Sequence, residues 1–125
     1  MEQSSKRLLS ITGAFEAATG LALLAVPAFL VELLLGVRPG TPAGIAVSRI
    51  AGAALLALGV ACWLARDQIA GRVRGGLVAA MLLYNIAATA ILLLTWIDPG
   101  LSGIAFWPAV LAHGALAVWC VACLF

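Results

Sequence analysis

One arginine constrains this chain more than any other residue. Residues 43–65, AGIAVSRIAGAALLALGVACWLA, form an apolar stretch about 23 residues long, enough to cross a bilayer as a helix. Arg49 is its only charge and lies roughly two turns in from one end. A guanidinium keeps its proton in proteins. A charge at the centre of a membrane helix costs at least about 2.5 kcal/mol. Arg49 therefore has to meet protein, water or a counter-ion, and the other helices have to supply it.

Composition makes the membrane setting general. Of 125 residues, 65% are hydrophobic and 10% are charged, and the mean hydropathy is +1.18. A soluble domain carries roughly 25% charged residues. The chain reads as a single integral membrane domain whose first partner is the lipid bilayer. A net charge of +2 leaves no electrostatic footprint for nucleic acid. Residues 1–28 have the outline of a signal peptide, with Lys6 and Arg7 before an apolar run and Val26-Pro27-Ala28 after it. Glu16 interrupts that run, so the segment is read as a retained first helix.

The sequence predicts an all-α bundle of four transmembrane helices. The first covers about residues 5–26 and breaks at Pro27, which removes a backbone donor. A short amphipathic segment with Glu32, residues 28–35, then lies at the interface. Gly36, Pro39, Gly40, Pro42 and Gly44 form a loop. The remaining helices are expected over residues 43–65, 77–96 and 104–125, with Pro108 tolerated near the start of the last. Lys6 and Arg7 precede the first helix, and Arg66, Arg72 and Arg74 lie between the second and third, against Arg38 alone on the other side. Positive charge favours the cytoplasmic side, which predicts both termini inside.

Glu16, Asn85 and His113 all fall near the bilayer midplane at about 1.5 Å of rise per residue. Together with Arg49 they suggest one buried network. Glu16 is the first-choice counter-ion for Arg49, with Glu32 and Asp98 as rivals. Asn85 and His113 complete the hydrogen bonds, and Tyr84, Ser48, Thr12, Thr19 and Thr89 are within range to join. Such a network can fix helix register. It can also hold a polar head group or move a proton. The small residues around His113 in Ala109-Val110-Leu111-Ala112-His113-Gly114 resemble the antenna helices in which a histidine ligates a bacteriochlorophyll magnesium. With one histidine in the chain, a bis-histidine haem needs a second chain.

Cys120-Val-Ala-Cys123 is a C-x-x-C at the end of the last helix, with Cys62 at similar depth. Three thiols with His113 are weak candidates for a soft metal, and inert membrane cysteines explain them as well. No cofactor is specified. Trp63, Trp96, Trp107 and Trp119 sit near helix ends as an aromatic belt, and Trp107 beside Pro108 is a candidate pocket wall.

Pro27 with the following FLVELLLG, then Arg49-Ile-Ala-Gly52, Leu55, Leu58-Gly59 and Ala65-Arg66, give a pattern that resembles the DUF4345-like group within the broader DoxX-like set. These are small four-helix bacterial membrane proteins without an assigned activity. The resemblance implies the fold and a bacterial inner membrane, and it carries over no catalytic residue. Three roles follow in order of preference. The first is an accessory or structural subunit, as a homo-oligomer or in a larger membrane complex. The second is a binder of a hydrophobic small molecule such as a quinone, isoprenoid or pigment. The third is an enzyme using the polar cluster or the thiols.

Overall fold

Proline and glycine set the boundaries of the helices. The computed structural model describes residues 2–67 and 71–125, in five helices: α1 (Glu2–Ala25), α2 (Pro27–Leu35), α3 (Pro42–Ala65), α4 (Gly71–Ile97) and α5 (Phe106–Leu124). Four of them, all but α2, are long and apolar enough to cross a membrane. The chain is an all-α, multi-pass membrane protein.

Val26 leaves helical geometry at φ −134° and Pro27 restarts it, so the expected break occurs where the donor is lost. α2 stops at Gly36, whose φ of +77° is the left-handed cap that glycine adopts without strain. Thr41 caps α3 by accepting the Gly44 N–H at 3.0 Å, and Pro42 takes the first helical position. α4 starts at Gly71 rather than at Leu77, so Arg72 and Arg74 belong to a helix and not to a loop. Arg74 closes on Glu2 of α1 at 3.7 Å, which ties the glycine-rich start of α4 to α1.

α1 is the helix around which the others are placed. It runs antiparallel to α3, and two pairs of glycines meet at their seam. A Cβ on Gly20 would lie 2.6 Å from the Gly52 carbonyl oxygen, and one on Gly59 would lie 2.7 Å from that of Gly13. Only hydrogen fits there, so the two backbones touch directly. The glycines are one heptad apart on both helices, which holds the contact on one face over two turns.

The other side of α1 faces α4 and α5, and the packing there is layered. Leu8, Leu9, Cys62, Val78, Met81, Leu116 and Cys120 form an apolar layer near the chain ends. Leu92, Phe106 and Val110 form a second at the far end. Leu34 and Leu35 of α2 pack on this second layer, so the break at Pro27 lets α2 cover what α1 does not. The loop before α5 is tied to the same helix, because the Gly103 and Ala105 N–H groups donate to Leu34 and Leu33 carbonyls at 2.9 and 2.8 Å. Both termini lie at one end, where the Trp119 indole N–H donates to Ser4 Oγ at 2.9 Å.

Candidate functional site: a polar layer inside and an arginine outside

Between the two apolar layers lies a polar one. Thr12, Glu16 and Asn85 are fully buried there and His113 nearly so. α1 supplies Thr12 and Glu16 one turn apart on a single face. α4 supplies Tyr84 and Asn85, and α5 supplies His113. The hydrogen bonds fall into two separate pairs. The Tyr84 hydroxyl donates to Glu16 Oε2 at 3.3 Å, and His113 Nδ1 lies 2.8 Å from Asn85 Oδ1.

The second pair fixes the histidine tautomer. The Asn85 side-chain nitrogen donates to the Met81 carbonyl at 2.8 Å, which only an NH₂ can do. The amide oxygen therefore faces His113, and Nδ1 must carry a hydrogen. In the neutral ring Nε2 is then the acceptor, and it is the nitrogen a metal or a proton would meet. The rings of Phe15 and Tyr84 meet the imidazole edge to face, with centroids 5.9 and 5.6 Å away. Two buried oxygens in this layer, Glu16 Oε1 and Thr12 Oγ1, have no hydrogen-bond partner among the described residues.

Arg49 is not part of this layer. It is exposed, and among the described residues it forms no ion pair. The expected pairing with Glu16 fails because of register. The Gly13–Gly59 and Gly20–Gly52 contacts set Glu16 opposite residues near Leu56. Arg49 lies seven residues further along α3, about 10 Å away along the axis. Its two rivals are no closer to it in function. Glu32 is held by Arg38 at 2.6 Å, and no ion pair is formed by Asp98 among the described residues.

The remaining candidates have local roles. Ser48, Thr19 and Thr89 each donate to the carbonyl four residues back in their own helix, at 2.8, 2.9 and 2.8 Å. This satisfies the hydroxyl without a partner helix. Trp107 stacks edge to face on Trp96 and Phe106 with centroids 5.3 and 5.4 Å away, in an aromatic group at the loop end and apart from the polar layer. Cys62 and Cys120 are buried in the apolar layer near the chain ends, and Cys123 touches Ser4 Oγ at 3.6 Å. All three are free thiols, and among the described residues no three His, Cys, Asp or Glu side chains converge as a metal site.

The end that holds the termini is rich in charge. Lys6 pairs with Asp67 at 2.6 Å, Arg66 with the same carboxylate at 3.1 Å, and the Arg66 guanidinium lies 3.4 Å above the Trp63 ring centre. No family model, curated protein or solved structure matches this chain.

Proposed function

We propose that this chain is an accessory or structural membrane subunit that assembles with itself or with a larger membrane complex through α3. The observation that carries the reading is how little of α3 its own chain covers. Gly52, Gly59, Cys62 and Ala65 are buried against α1. Ala46, Ile50, Ala53, Ala57, Ala61 and Leu64 follow helical spacing along the opposite face and are all exposed. In lipid, helices associate where small side chains let backbones approach closely, and this face offers alanine at four of six positions.

The orientation belongs to the same reading. The end with Lys6, Arg7, Arg66, Arg72 and Arg74 is taken as cytoplasmic, which the excess of basic residues supports. The resemblance to the DUF4345-like group supports a bacterial inner membrane. The test is assembly. Ala53→Trp and Ala57→Trp, compared with Leu83→Trp on the exposed face of α4, should remove a partner chain seen in native mass spectra of gently purified protein. An assembly that survives both α3 substitutions contradicts the proposal.

A second reading rests on Glu16 Oε1 and Thr12 Oγ1. Two buried oxygens one turn apart, both without a partner among the described residues, are what a polar head of a lipid-soluble molecule would satisfy. Under this reading the purified protein carries a fixed extra mass or an absorption band, and Thr12→Val or His113→Ala removes it. Retention in both variants counts against binding in this layer.

A further inference from the structure

Arg49 pairs with no carboxylate among the described residues. It lies in a groove of about 340 Å³, lined with Val26, Pro27, Phe29, Ile45 and Arg38. The groove lies at the break at Val26, between the start of α2 and the first turns of α3.

We propose that this groove binds the phosphodiester of a membrane lipid, with Arg49 as the main ligand and Arg38 as the second. α3 is 24 residues long, or about 36 Å, against a hydrocarbon core of about 30 Å. Arg49 lies about 10 Å along from Pro42, so its Cα is below the hydrocarbon boundary by about 7 Å. Helical side chains lean toward the N-terminus of their helix, which for α3 is the nearer membrane surface. An arginine stem reaches several ångströms, which brings the guanidinium up to the hydrocarbon boundary, where a lipid phosphate drawn toward it can meet it.

Charge points to the same ligand. Glu32 and Arg38 neutralise one another at 2.6 Å, so Arg49 leaves the groove with one net positive charge. A phosphodiester carries one negative charge. A guanidinium offers a planar fork of donors that suits phosphate oxygens, and Glu32 engages Arg38 only through its Nε. The walls suit the rest of such a ligand, because Val26, Phe29 and Ile45 are apolar and next to lipid. Ala28 and Phe29 of the first turn of α2 also line the groove, and the N-cap Val26 makes no side-chain cap bond there. Arg49 borders the alanine face, three residues after Ala46 and four before Ala53, so lipid retention and assembly are read on the same sample.

The experiment is native mass spectrometry of the full chain in detergent with added phosphatidylglycerol. A diglycosyl diacylglycerol, which has no phosphate, and inorganic phosphate serve as the comparison probes. The wild-type chain should retain phosphatidylglycerol and not the glycolipid, and inorganic phosphate should not compete. Arg49→Gln should weaken retention about tenfold, the scale of one lost charge-assisted contact. Arg49→Lys should recover part of it. Ile45→Trp, which fills the groove and keeps the charge, should also weaken retention, while Arg72→Gln at the other end should not. Equal retention of the glycolipid by the wild type overturns the proposal, as does competition by inorganic phosphate. Unchanged retention in Arg49→Gln overturns it too, and if that variant also loses a dimer, the anion belongs to a second copy of the chain.

Discussion

Glu16 and Arg49 stand on neighbouring helices and meet opposite surroundings. Glu16 is 0% exposed, enclosed by α4 and α5, with Tyr84 donating to one of its oxygens. Arg49 is on the outside of α3, at the edge of a groove open to lipid. Opposite charges on adjacent membrane helices invite the view that they attract one another and set the packing. Here the steric contact of four glycines sets the register, and the charges take the places that register leaves them. Backbone contact at Gly20 and Gly52 tolerates no sliding. A charge pair would have tolerated several ångströms, through the length of the arginine side chain.

The largest effect should come from attacking that seam. Gly20→Leu or Gly52→Leu forces a side chain against backbone atoms within 3 Å, where nothing flexible can give way. The expected cost exceeds about 3 kcal/mol, the upper range of overpacking. Thermal unfolding in detergent checks it, and Gly76→Ala provides the contrast. A Cβ at Gly76 meets nothing within 4 Å, so alanine there should stabilise by up to about 1 kcal/mol through helix propensity.

Breaking the polar layer should cost less. Asn85→Leu leaves the His113 Nδ1–H without its acceptor, at about 1–3 kcal/mol for a buried polar group. The double variant Asn85→Leu with His113→Leu should be more stable than the single one, because both partners are then gone. If the two singles add, the histidine is bonded elsewhere.

The smallest effect should be at the charged end. Asp67 is exposed, and the hydrogen bond from Lys6 holds its carboxyl below its ordinary value. The folded state therefore releases the Asp67 proton more readily than the unfolded state does. The contribution of the pair is complete above the ordinary carboxylate range and is lost as pH falls through the lowered value. Asp67→Asn should narrow the difference in melting temperature between neutral and acid pH, and added salt should shrink the effect further.

How much of this the sequence made legible follows from the length scale of each signal. Four apolar stretches bounded by Pro27, Pro42, Asp98-Pro99-Gly100 and basic residues give the spans, because a bilayer demands about twenty apolar residues and little else. Asn85 with His113 was legible as a pair at one depth. The Glu16–Arg49 pairing was not sound, because depth counted from helix ends ignores the register between helices. Gly13, Gly20, Gly52 and Gly59 were visible as small residues, and their equal spacing on α1 and α3 was the signal that could have given that register. Thr19, Ser48 and Thr89 read as network members on residue type, but a hydroxyl in a helix has a carbonyl of its own one turn away. The start of α4 at Gly71 was hidden by its glycines, which are weak helix formers.

The measurement that tests the contrast most directly is a double-mutant cycle on Glu16 and Arg49. Glu16→Gln, Arg49→Gln and the double variant are unfolded in the same detergent. The structure predicts additivity, with an interaction energy within about 0.5 kcal/mol of zero, as for sites that share no partner. A coupling of about 3 kcal/mol or more, the scale of a broken buried ion pair, would place the guanidinium inside the bundle and contradict the register described here.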